Sequence, residues 1–141
     1  MEAVRHYAAT EVGLCTVSFV RDDGTAHASV VNAGPLRHPV TGDEVVGFVA
    51  RSDAYKVGLV RRRGRGSATF RRGWRWVGVE GPCDLIGPDD PVEGVDLSRL
   101  LRQVFQAAGG THGDWDEFDQ VMADEHRVAV FIHPVRILGR P

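Results

Sequence analysis

The sequence predicts one mainly β domain over residues 1–141, folded as a small six-stranded antiparallel barrel with a few helices. Three observations lead there. Short apolar–polar alternations recur at hairpin spacing, Gly, Pro and Asp turn signals separate them, and few stretches carry a helical repeat. At 141 residues, with 43% hydrophobic and 26% charged residues, the chain has the length for one core and the composition of an ordinary globular domain.

Residues Glu2–Thr10 read as a short N-terminal helix. "GLCTVSFV" then alternates, with Cys15, Val17 and Phe19 on one face and Leu14, Thr16 and Ser18 on the other, the period of a strand. The turn signal "RDDG" leads into "TAHASVVNA", the returning arm of a hairpin, which Gly34-Pro35 is expected to break. After the turn-rich "RHPVTGDE" comes a third strand, "EVVGFVA". Ser52 is placed to cap the next helix, with Asp53 in its first turn, and Gly64 to end it roughly three turns later. "GSATFRR" and "WRWVGVEGPCDLIG" form a second hairpin around Gly73, followed by the linker loop "PDDPVEG". "VDLSRLLRQVFQAAG" is the clearest amphipathic helix, with Leu97, Leu100, Leu101, Val104 and Phe105 along one face. "DWDEFDQVMADEH" reads as a short acidic helix and "RVAVFIHPVRILG" as a last strand.

Composition narrows the function classes. No apolar segment follows Met1–His6 as a signal peptide requires, and the run Val45–Ala50 is far too short to span a bilayer. Cys15 and Cys83, both in strand-like runs, are expected to be buried hydrophobes in a reducing compartment, which places the protein in the cytoplasm. The six histidines show no HxxxH spacing and the cysteines no CxxC, so no metal site is expected. Gly64 and Gly66 follow a helix and precede a strand, the reverse of a dinucleotide fingerprint.

Charge is unevenly distributed. Between residues 51 and 76 eight arginines and Lys56 face Asp53 alone, a balance of +8 in a chain whose net charge is −2, so the remainder carries −10. This is a concentrated basic zone suited to an anionic partner, with a merely solvated face as the alternative. Trp74 and Trp76 beside Arg71, Arg72 and Arg75 have the types that stack nucleic-acid bases, although a tryptophan in an alternating strand more often belongs to a core.

Lys56 is the only lysine, against 16 arginines. Strand three delivers Arg51 and Ser52 to a helix start, where free amides and the helix dipole favour an anion. Lys56 lies four residues after Ser52, one turn along the same face. Hydroxyl, guanidinium, ammonium and amides converging there describe a phosphate site; a capped surface helix with solvated cations is the other reading.

The stretches "GLCTVSFVRDDGTAHASVV", "VVGFVARSDAYKVGLVRR", "WVGVEGPCDLIG" and "RVAVFIHPVRILG", in this order, resemble the FMN-binding split-barrel proteins related to pyridoxamine 5'-phosphate oxidase. Within them the chain is most similar to the deazaflavin (coenzyme F420)-dependent oxidoreductases. The resemblance implies a split barrel and a homodimer. It implies a cofactor whose phosphate is held by Arg51, Ser52 and Lys56 and whose ring runs beside Ser29, Val30, Val31 and Asn32. Arg62, in the basic run that follows, would meet the acidic tail of coenzyme F420. The chain departs from the pattern at Val30, where relatives often carry proline, and at Gly58-Leu59, where they often carry Asn-Leu. The activity implied is hydride transfer between the deazaflavin and a small organic substrate, with no catalytic side chain designated. FMN as the cofactor, a non-enzymatic cofactor or haem carrier, and a nucleic-acid binder are the other readings.

Overall fold

The computed structural model describes residues 1–10 and 13–140. The elements run α1 (Glu2–Thr10), β1 (Leu14–Val20), β2 (Ala26–Arg37), β3 (Glu44–Arg51), α2 (Tyr55–Arg63), β4 (Arg65–Arg72), β5 (Arg75–Ile86), α3 (Leu97–Ala107), α4 (Trp115–Asp124), β6 (Arg127–Ile132) and β7 (Arg136–Arg140). All strand pairs are antiparallel, in the order β4-β1-β2-β3-β6-β5, and β4 pairs with β5 to close a six-stranded barrel. The seventh strand, β7, lies along the first half of β5.

Alternation decides which side chains fill the barrel. Cys15, Val17 and Phe19 of β1, Ala68 and Phe70 of β4 and Val77 and Val79 of β5 all point inward. With Val57, Leu59 and Val60 of α2 and Val4, Tyr7 and Ala8 of α1 they form one core. Burial pushes the thiols of Cys15 and Cys83 up to about 12, so neither is a thiolate near neutral pH. A second apolar layer lies outside the barrel, where Leu100, Leu101, Val104 and Phe118 of the α3–α4 pair cover Val45, Ala129, Phe131 and Ile86.

Three local expectations change. Ser52 does not cap α2: its amide donates to the His126 carbonyl, and Ala54 occupies the N-cap position without any side-chain bond. A turn closed by Ala54 N–H donating to the Arg51 carbonyl delays the helix, while Gly64 ends it in the left-handed conformation as expected. Strand β2 runs through Gly34-Pro35 instead of breaking. By that point it pairs with β3 alone, where a residue without an amide proton is tolerated. The final segment is two strands, β6 and β7, separated at Pro134.

Strand β2 also changes partners. Residues 26–32 pair with β1, whereas residues 33–37 pair with β3. The two strands therefore diverge from Ala33 and Phe48 onward. Among the described residues, Val49–Arg51 have β6 on one side and no strand on the other.

Candidate functional site

The divergence of β2 and β3 opens a cleft of about 810 Å³. Val30, Val31 and Asn32 line one wall and Val49, Ala50 and Arg51 the other. Lys56 and Ala54 stand at the start of α2, and Val104, Phe105, Ala108 and Met122 of the α3–α4 pair form an apolar end. Such a space, largely apolar with a few polar groups, is of the size and character that take a small-molecule ligand.

Lys56 supplies the electrostatics. Its Nζ donates to Ser29 Oγ at 3.0 Å, and burial holds its ammonium below the ordinary lysine range. Among the described residues no carboxylate lies within ion-pair distance of it. The other two cations of the cleft are engaged: Arg127 is held by Glu125 at 2.6 and 2.9 Å, and Arg51 lies 3.7 Å from Asp53 and 3.9 Å from Glu125. Lys56 thus offers an ammonium with three donors and one neutral partner beside a helix start that no side chain caps, a set of donors with the chemistry to meet an anion.

Of the residues singled out in the sequence, Arg51, Lys56, Val30, Val31 and Asn32 line this cleft, and Ser29 joins it through Lys56. Ser52 does not line it; its carbonyl accepts from Arg61 at 3.4 Å. Arg62 lies outside the cleft as well, its Nε donating to Asp22 at 3.2 Å. Arg61 forms a bidentate pair with Asp90. The apolar end built by α3 and α4 had no sequence signal as a ligand wall, because Val104 and Phe105 read simply as a helix's core face. Trp74, which could have been core, is 95% exposed at the β4–β5 turn.

Folding also gathers residues whose spacing shows no metal motif. His38, Asp84 and His133 come from three strand ends, with His38 Nε2 2.8 Å from Asp84 Oδ2 and His133 Nε2 2.6 Å from Asp84 Oδ1. These are transition-metal donor types, but His38 Nδ1 already accepts the Val40 and Thr41 amides, each at 3.2 Å. A nitrogen that accepts carries no proton, so in the neutral ring Nε2 holds it and donates to Asp84. A metal-bound histidine needs the opposite, a lone pair on the ligating nitrogen and a proton on the other. The cluster is therefore a clamp that fixes the β2–β3 turn to β5. Asp84→Ala would leave the buried His38 N–H without an acceptor and is expected to cost about 1–3 kcal/mol. Asp84→Asn, which keeps one acceptor oxygen, should fall between; the midpoint of denaturant unfolding checks both.

No protein-family model matches the chain. Among solved structures, a conserved hypothetical protein from Mycobacterium tuberculosis aligns with a TM-score of 0.70 at 18% identity, over 99% of this chain and 82% of that one. An F420 reductase aligns at 0.62 and 12% identity, covering 93% of each chain. A pyridoxamine 5'-phosphate oxidase-related, FMN-binding protein from Nostoc punctiforme aligns at 0.60 and 10% identity, over 94% of this chain and 77% of that one. The fold is that of the FMN-binding split-barrel proteins. No described helix is long and apolar enough to cross a membrane.

Proposed function

We propose that this split-barrel chain is an oxidoreductase that binds coenzyme F420 in the β2–β3 cleft and serves hydride transfer to or from a small organic substrate. The observation that carries the reading is Lys56, a half-buried ammonium without a carboxylate partner at the uncapped start of α2. Likeness of fold to an F420 reductase supports the choice of cofactor. When bound, the deazaflavin supplies the hydride chemistry. The chain's own part is to hold it: Lys56 and the first-turn amides of α2 would take its phosphate, and Val30, Val31, Val49 and Ala50 would flank the ring. Phe105, Ala108 and Met122 would keep water from the apolar end of the cleft. Arg51, drawn towards Asp53 and Glu125, is close enough to turn to an anion at modest cost.

FMN is the second reading, favoured by a specific observation. Arg61 and Arg62, whose charge would suit a polycarboxylate tail, are already paired with Asp90 and Asp22. Fluorescence titration with both ligands separates the readings. Saturable binding of coenzyme F420, at least tenfold tighter than FMN, is expected; the reverse order transfers the site to FMN. Binding of neither, or a Soret band in the purified protein, discards both.

We also propose a homodimer. Residues 103–126 contain six acids and no lysine or arginine, whereas the β4–β5 turn carries Arg71, Arg72 and Arg75 around the exposed Trp74. Charge complementarity and one large apolar contact favour docking of this turn on the α4 region of a second copy. Sedimentation equilibrium should give twice the chain mass, and Trp74→Ser with Arg72→Glu should shift it towards monomer. A wild-type monomer at every concentration refutes the assembly.

A further inference from the structure

A second cavity, of about 670 Å³, opens on the outer face of the barrel at the other end of α2. Arg63 closes the helix and Arg65 opens β4, and both line this space. Strand register lays a polar row across its floor: Ser18 of β1 pairs with Ser67 of β4, Ser67 with Glu80 of β5, and Glu80 with Arg136 of β7. Gly66 is required there, since a Cβ would come within 2.5 Å of the Phe19 ring and 2.9 Å of the Ser18 carbonyl oxygen.

The pattern of pairing sets the cavity apart. In the run Arg61-Arg62-Arg63-Gly64-Arg65, the first two residues do not line the cavity and each has a carboxylate, Asp90 and Asp22 respectively. Arg63 and Arg65, which line the cavity, make no ion pair or side-chain hydrogen bond among the described residues. Glu80 is the one acid in the lining, and it lies 4.0 Å from Arg136. Three guanidiniums thus face a single carboxylate, and two of them hold all their donors in reserve. Guanidiniums bind phosphate and carboxylate through two parallel donors, a geometry two arginines can apply to one compact polyanion.

We propose that this cavity is a second anion site, separate from the cleft at Lys56, which takes a small molecule with two or more neighbouring negative groups, phosphates or carboxylates. A nucleic-acid strand is disfavoured because the rim beside Gly24 and Thr25 carries Asp22 and Asp23, which would repel an extended backbone. The site does not depend on the cofactor reading, as α2 stands between the two ends and its nine residues span about 13 Å.

The test is calorimetric titration of the full chain with inorganic pyrophosphate and, in parallel, citrate at low ionic strength. Saturable one-to-one binding of at least one of them is expected. Arg63→Ala and Arg65→Ala should each weaken it about fivefold, and the double variant about twentyfold, as fits exposed charge contacts. Lys56→Ala should leave it within twofold of wild type. The tighter of the two probes tells phosphate from carboxylate. No binding to the wild-type chain overturns the proposal, as does binding lost in Lys56→Ala but kept in the double variant, which would place the anion in the cleft. A single-stranded oligonucleotide that binds more tightly than both probes, with the same arginine dependence, would replace the small ligand by nucleic acid. Both arginines are exposed, and thermal melting of the unliganded variants should match wild type.

Discussion

Lys56→Ala is expected to weaken cofactor binding ten- to a hundredfold, the loss of one charge-assisted hydrogen bond of about 1.5–3 kcal/mol. The contact is expensive to lose because Lys56 is partly desolvated and has no other anion to satisfy it. The same fact predicts that the unliganded variant is no less stable than wild type, since removing a poorly solvated, unpaired cation relieves a cost. Lys56→Arg should recover only part of the affinity, because a planar guanidinium in place of a compact ammonium cannot keep both the Ser29 contact and the phosphate.

The pH dependence follows with a definite sign. Burial lowers the Lys56 pKa in the free protein, so affinity for the anion is full while Lys56 is protonated and falls as pH rises through that lowered value. Between the folded and the ordinary lysine pKa the unfolded chain binds more protons, so this group makes the unliganded fold more stable as pH rises. Bound phosphate favours the charged form, so binding near the lowered pKa should take up protons, which calorimetry in buffers of different ionisation enthalpy measures. Unchanged affinity in Lys56→Ala, or affinity flat across the alkaline range, would remove the phosphate from this residue.

Gly34→Ala is expected to destabilise the fold by about 3 kcal/mol or more, a fall in melting temperature of roughly 10 °C. A Cβ at Gly34 would lie 1.8 Å from the Ala107 carbonyl oxygen and 2.9 Å from the Ala108 amide nitrogen, and both neighbours are backbone. No rotamer change can make room, so α3 must move off β2. Because Val104, Phe105 and Ala108 form the apolar end of the cleft, ligand affinity should drop with stability. Gly24→Ala is the control for added side-chain bulk: nothing lies within 4 Å of its Cβ, and any loss there comes from its left-handed backbone alone, φ +87°. A Gly34→Ala protein with wild-type melting and affinity would show that α3 is not held by this contact.

Most of the architecture is legible in the chain because strand and turn signals are local. The alternation of Cys15, Val17 and Phe19 already separates inside from outside, and the barrel buries those three residues. The amphipathic stripe of Leu100, Leu101 and Val104 likewise names the face that α3 buries. The position of Lys56 on the cleft was legible for a chemical reason, since it is the lone ammonium among guanidiniums beside a strand-to-helix junction. Ser52 misled because its cap assignment rests on residue type, whereas the helix start is set by the backbone turn that joins Arg51 to Ala54.

What the sequence by itself determines here is therefore most of the elements, with β6 and β7 read as one strand, their buried faces, and the place of Lys56 at the strand-to-helix junction that borders the cleft. Tertiary structure alone decides the exchange of partners along β2, since Gly34 and Pro35 have the same local preferences whether or not α3 packs against them. It also decides which arginines are occupied. Arg61 and Arg63 are two positions apart and chemically identical, yet Asp90, 29 residues beyond Arg61, reaches only the first. Side-chain pairing across such distances depends on where whole strands and helices come to rest, and spacing along the chain carries no record of that.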